Sequence, residues 1–180
     1  MGEGKKLPGE ERRHMLLSLL KNSNGPITGG ELASTAKVSR QIIVGDITLL
    51  KAKNEPIIAT SQGYLYLRQS SLSPVFEKTV PCQHPPGKTE EELLLIVDEG
   101  VTVKDVRIEH PVYGDLTASI MVSNRQEVKQ FIEKIRKTKA SFLSELTGGY
   151  HLHTLSAPSE QALEKAEAAL QKAGFLFEIG

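Results

Sequence analysis

The chain has a single cysteine, Cys82, among its 180 residues, so no intrachain disulfide is available and a core must be held by packing alone. Net charge is missing as well, with 22 basic residues balanced by 22 acidic ones. Long apolar runs are absent: stretches such as Leu93 to Val97 are far too short to cross a bilayer, so no membrane role is indicated. Nothing at the N-terminus combines a basic start with an apolar signal core, and a cytoplasmic location is expected. The chain also lacks a His-Glu-x-x-His helix, a Gly-x-Ser-x-Gly elbow and a phosphate-binding glycine loop, which argues against an enzyme.

Beneath the zero net charge lies an asymmetry. Up to Ser70 there are ten basic and six acidic residues, and beyond it twelve and sixteen, so one half is suited to a polyanion and the other to a different task. In the basic half, Glu10 to Asn22 places Met15, Leu16, Leu19 and Leu20 on one helical face. Asn24, Gly25 and Pro26 end that helix. Thr28 is placed to cap a short second helix, with Glu31 three residues on as in a capping box, and this helix buries Leu32, Ala33 and Ala36. Lys37 and Val38 make a tight turn. Ser39 caps a third helix whose Ile43, Ile47 and Leu50 recur at helical spacing, leaving Arg40, Gln41, Val44, Thr48 and Lys51 to face outward.

The stretch Glu31 to Leu50 resembles the helix-turn-helix of the biotin-repressor type, with Lys37 standing where that motif often has glycine. Pro56 to Leu67 reads as two short strands turning at Ser61 to Gly63, the pattern of a wing. The expectation is a winged helix-turn-helix over residues 1–69, with Ser39, Arg40, Gln41, Val44, Thr48 and Lys51 contacting DNA. With only Arg40 and Lys51 as cations on that face, a monomer would bind weakly, so a homodimer on a two-fold double-stranded operator is expected. A biotin ligase would need a larger catalytic domain and a Gly-Arg-rich nucleotide loop, and neither is present.

Gln69 to Pro74 is Ser-rich and has no apolar period, so it reads as a linker before a second domain over residues 74–180. Val75 to Cys82 looks extended and Lys88 to Glu99 helical. Val101 to Glu109 alternates imperfectly, as in a strand with a bend, and Leu116 to Val122 returns as a second strand after a turn at Tyr113 to Asp115. Gln126 to Lys139 is an amphipathic helix, Tyr150 to Ala157 a strand, Pro158 to Ala173 a helix with proline in its first turn, and Phe175 to Ile179 a closing strand. Ala140 to Thr147 has no clear assignment. The fold class is α+β: the winged helix-turn-helix followed by an open-faced α+β sandwich, since strands and helices do not alternate strictly.

Four of the five histidines fall in this second half; His14 reads as a surface residue of the first helix. His151 and His153, two apart on a strand, project from one face with backbones about 7 Å apart and can share an ion. His84 follows another extended segment, and Glu90, Glu91 and Glu92 open the next helix. Imidazoles with a carboxylate suit zinc, nickel or iron(II).

The stretches Glu109-His-Pro-Val-Tyr-Gly114, Gly148-Gly-Tyr-His-Leu-His-Thr154 and Lys172 to Gly180 resemble the three-histidine domain of bacterial nicotinate-responsive repressors. Those repressors also begin with a biotin-repressor-type helix-turn-helix, so the likeness covers nearly the whole chain. The resemblance implies one divalent transition metal held by His84, Glu92, His151 and His153, with Glu91 the nearest alternative to Glu92. Cys82 is an alternative donor that the family pattern does not ask for. The resemblance further implies nicotinic acid as co-repressor, acting on genes of NAD biosynthesis or niacin uptake. His110 and Tyr113 are candidates for the effector pocket, the other reading being a strand end capped by a proline turn. A metal-sensing repressor and a metal-dependent hydrolase carrying a DNA-binding module are the alternative functions.

Overall fold

In the computed structural model, which describes residues 7–68 and 75–177, the chain divides into two units, Met1–Ser70 and Ser71–Gly180. The linker read at Gln69 to Pro74 lies outside the described residues. The first unit comprises helices α1 (Gly9–Asn22), α2 (Gly29–Ala36) and α3 (Arg40–Ala52), followed by strands β1 (Ile57–Thr60) and β2 (Gly63–Tyr66) paired as an antiparallel hairpin. Leu16, Leu20, Leu32, Ile43, Ile47, Leu50 and Ile57 form its core. Each such side chain contributes about 1.5–3 kcal/mol on full burial.

Local chemistry sets the helix ends. Thr28 Oγ1 accepts from the Glu31 amide at 3.2 Å while Glu31 accepts from the Thr28 amide at 2.8 Å, a complete capping box. Lys37 sits in the left-handed region at φ 53°, so the turn has the conformation that glycine would take, held by a lysine. Gly63 cannot be replaced so readily: a Cβ there would lie 2.5 Å from the Ile27 carbonyl oxygen, at φ +135°. That close approach lets Ile27 and Tyr64 exchange two backbone hydrogen bonds, tying the hairpin to the segment before α2.

The second unit contains β3 (Phe76–Gln83), α4 (Thr89–Val97), β4 (Thr102–His110), β5 (Gly114–Ala118), α5 (Arg125–Thr138), β6 (Tyr150–Ala157) and α6 (Glu160–Ala173). The sheet runs β3-β6-β4-β5 with every neighbour antiparallel. β3 and β4 are therefore parallel with β6 inserted between them, and β5 and β6 are parallel with β4 between, two interleaved split βαβ units. Val80, Leu155 and Ala157 on one sheet face meet Leu93 and Ile96 of α4, Val128 and Ile132 of α5, and Leu163, Ala166 and Leu170 of α6 in one core. Tyr150 and Leu152 point to the other face and are exposed. This is the open-faced sandwich that the order of elements predicts.

Several boundaries differ from those read in the sequence. Pro158 precedes α6, because Ser159 takes the cap position and accepts from the Ala162 amide at 3.3 Å. The strand expected through Val122 stops at Ala118, and Val122 returns only as an isolated bridge to Val103 after Met121 turns at φ 52°. In the closing segment only Leu176 makes a bridge, to Cys82, and residues 178–180 lie outside the described residues. The unassigned stretch contains a 3-10 turn, Leu143–Thr147, whose Ser144 is buried.

Candidate metal centre and recognition helix

Alternation along β6 puts His151 and His153 on its buried face, their rings 4.7 Å apart between centroids. Beside them on β3, Cys82 pairs in register with His151 and Val80 with His153. The chain leaves β3 through His84 and the proline-rich turn, and α4 begins at Thr89, so Glu92 faces the sheet from the first turn of α4. His84, Glu92, His151 and His153 are all buried. Glu92 Oε2 lies 2.7 Å from His84 Nε2 and 3.3 Å from His153 Nε2, and Oε1 lies 3.1 Å from His151 Nε2. Glu91 points outward and is bound by Lys88 at 2.6 Å. Glu90 is bound by Arg136 at 2.9 Å.

Each imidazole is fixed from behind. His84 Nδ1 donates to Pro85 O at 2.9 Å, His151 Nδ1 to Gly149 O at 2.8 Å, and His153 Nδ1 to Asp105 O at 2.7 Å. A carbonyl only accepts, so each Nδ1 carries the hydrogen, and in a neutral ring each Nε2 turns a lone pair toward Glu92. Three lone pairs and a carboxylate then face one another with no donor among them. His84 Nε2, His153 Nε2 and Glu92 Oε2 are accordingly buried without a hydrogen-bond partner, despite their short separations. Such a set fits a divalent cation.

The electrostatics agree. Burial opposes ionisation of Glu92, but His153 and its neighbours outweigh it and hold the carboxyl well below the usual carboxylate range. Burial likewise opposes protonation of His84 and His153, yet Glu92 raises both above the usual imidazole range, so the cluster attracts positive charge. Cys82 Sγ, a Glu92 oxygen and a His151 nitrogen all lie within 4.8 Å of one another. Burial, with Glu92 close by, pushes that thiol far above its ordinary range, which disfavours a thiolate.

Three supporting residues were not legible as site residues in the sequence. A Cβ on Gly149 would lie 2.4 Å from His84 O, at φ +95°, so glycine alone lets β6 start against the His84 backbone. The ladder between β4 and β6 shifts register between Val103 and Asp105. At this irregularity Asp105 Oδ1 accepts from the Thr154 amide at 3.1 Å, and the Asp105 carbonyl is free to take His153. The third is Thr89, whose Oγ1 is buried without a hydrogen-bond partner among the described residues. Thr89 lines a cavity of about 220 Å³ together with Glu92, His151, His153 and Ser144; Leu93, Phe131, Ile135 and Phe142 supply much of its apolar wall.

His110 and Tyr113 are not among the residues lining that cavity. His110 Nδ1 accepts from the amides of Val112 and Tyr113 at 3.1 and 3.2 Å, closing the β4–β5 hairpin, and Tyr113 is 75% exposed. His153 pairs with Val106, four residues short of His110, or about 13 Å along the strand. The structure thus places these two residues in the hairpin turn, outside the cavity beside the cluster.

In the first unit α3 turns Ile43, Asp46, Ile47 and Leu50 inward. Gln41, Thr48 and Lys51 are exposed, Arg40 is exposed at the first turn, and Val44 is half-buried. Ser39 is exposed and caps α3 by accepting from the Ile42 amide. Asp46, unremarked in the sequence, is buried and accepts from Arg12 Nε at 2.5 Å and Arg13 at 3.3 Å, which locks α1 onto α3. Lys21 pairs with Glu55, and Arg68 donates to the carbonyls of Lys21 and Ser23. Among the described residues Lys37, Arg40, Lys51 and Lys53 make no ion pair, and they lie two at each end of α3.

Residues 77–179 match the 3H domain, and residues 12–65 match an HTH domain. The chain is similar over nearly its whole length to two curated proteins. One is the transcription repressor NadR of Bacillus subtilis, 60% identical over 177 residues, which are 98% of each chain. The other is the probable transcription repressor NiaR of Thermotoga maritima, 39% identical over 172 residues, covering 95% of this chain and 96% of the relative. With a helix-turn-helix unit and a three-histidine unit in the same order, the chain belongs to the NadR/NiaR-type family of DNA-binding transcription repressors.

Proposed function

We propose that the chain represses genes of NAD biosynthesis or niacin uptake, with nicotinic acid as co-repressor at a metal centre formed by His84, Glu92, His151 and His153. The observation that carries this reading is the convergence of three backbone-tethered imidazoles on one buried carboxylate. When bound, a divalent ion supplies a Lewis-acidic position able to accept a carboxylate or a pyridine nitrogen. Nickel, zinc and iron(II) all suit the nitrogen and oxygen donors. Cys82 stays a thiol of the core.

The cavity beside the cluster favours an organic effector over a bare ion. Its volume of about 220 Å³ suits a small ligand, below the roughly 300–1,000 Å³ of drug-sized sites. Apolar side chains would cover a flat ring, and Thr89 Oγ1 and Ser144 would meet its polar end. The protein acts as a cytoplasmic homodimer, and effector binding favours the dimer whose two recognition helices match successive major grooves of the operator. Ser39, Arg40, Gln41, Val44, Thr48 and Lys51 make the contacts, with cations at both ends of α3 on phosphates. Arg40 and Lys51 are about 16 Å apart along the helix axis, enough to span a major groove about 12 Å wide.

The test is operator binding measured with and without nicotinate, on metal-loaded and on chelator-treated protein, beside calorimetric titration of both forms. Tighter operator binding and heat of binding are expected only when metal and nicotinate are both present. If metal alone switches operator binding, the ion is the effector; if neither changes it, the proposal fails.

A further inference from the structure

We infer that Gly45, at the middle of α3, is the point of closest approach between the recognition helix and its DNA, and that its missing side chain serves binding and not the fold. Glycine is among the poorest residues for a helix interior. At Gly63 and Gly149 it has a visible reason: a Cβ on either would strike main-chain atoms, and both have positive φ. Gly45 has neither excuse. It is absent from the positive-φ residues, and a Cβ built on it meets nothing within 4 Å. Among the described residues of the unit, nothing requires the residue to be so small.

Its position says what outside the unit does. With the buried positions of α3 at Ile43, Asp46, Ile47 and Leu50, a rotation of about 100° per residue puts Gly45, Gln41 and Thr48 directly across the helix. Arg40 and Lys37 stand before this face and Lys51 and Lys53 after it, none of them in an ion pair among the described residues. A helix whose two ends are drawn to the phosphates bounding a groove presents its middle to the base edges. Thr48 has a short side chain, and its hydroxyl already donates to Val44 O at 2.8 Å, leaving its lone pairs and methyl outward. Such a residue reaches a base edge only if the backbone comes close, and a Cβ at position 45 would act as a spacer at that point. Hydrogen bonds weaken beyond normal contact distance, so a small lift is felt by both neighbours.

The inference rests on the reading of α3 as the DNA-contacting helix. The test uses full-length, metal-loaded protein with nicotinate and a duplex that the wild-type protein enriches from a random-sequence pool, with a scrambled duplex beside it. Gly45→Ala is expected to raise the melting temperature of the helical transition by about 4–8 °C. It should also weaken binding to the selected duplex at least tenfold and change binding to the scrambled duplex little. A larger side chain, Gly45→Leu, should weaken the selected duplex further. Unchanged affinity in Gly45→Ala, or a fall in its melting temperature, overturns the inference and leaves the DNA-binding reading intact. A wild-type protein that enriches no duplex overturns both.

Discussion

A carbonyl inside a sheet ordinarily accepts from the neighbouring strand, and the one at Asp105 is released from that duty by its own side chain. Because Oδ1 takes the Thr154 amide, the carbonyl can orient His153. Asp105→Ala should therefore lower metal affinity by about 10–100-fold, read by competition with a chromogenic chelator, although Asp105 touches no ion itself. Unchanged affinity would show that the tether does not matter. The neighbouring glutamates give a sharper contrast. Glu92→Gln should lose most of the bound metal and Glu91→Gln none, because only Glu92 faces the imidazoles. Elemental analysis of the purified variants decides it. Gly149→Ala should destabilise the second unit by about 2–4 kcal/mol in denaturant unfolding, through a left-handed backbone and a carbonyl in the path of the methyl.

At the scale of elements, the helices were legible because a buried stripe repeats along each, and caps such as Thr28 and Ser39 are single side chains, whereas at α6 Pro158 drew the boundary away from the cap at Ser159. The strands were less so. β4 broke its alternation at the register shift, and β5 is too short for a period to establish itself. The pair His151 and His153 was legible from spacing alone, whereas His84 and Glu92 came from family resemblance, because tertiary folding alone brings β3, α4 and β6 together. His110 and Tyr113 lie apart from the cluster: a motif rich in chemistry-bearing residues also describes a hairpin closure, and no local pattern tells how far along a strand the site lies. Asp46 escaped notice as an acid within the apolar stripe of α3. Asp46→Ala should lower the stability of the first unit by about 1–3 kcal/mol, since Arg12 and Arg13 lose their shared acceptor but retain partial access to water. Chemical denaturation followed by circular dichroism measures this.

For the whole molecule, zero net charge conceals a division of labour, and the basic excess of the first unit shrinks further once internal pairs are set aside. Arg12 and Arg13 serve Asp46, Lys21 serves Glu55, and Arg68 serves backbone carbonyls. Among the described residues Lys37, Arg40, Lys51 and Lys53 remain for phosphates, and the proposed contacts would make affinity depend on each of them. Arg40→Ala and Lys51→Ala should each reduce the slope of log affinity against log salt by about one, with little change in which sequence is preferred. Anisotropy titrations across a salt series would reveal it; an unchanged slope for both would remove α3 from the phosphate contacts.

The three rear tethers have a physiological corollary. Since the main chain already holds the rings in place, the function proposed above would have a receptor fully shaped before its ion arrives, and would make vitamin sensing conditional on mineral supply. In a cell starved of that metal, the proposed circuit would fall silent and its genes would stay on, however much niacin the medium contained.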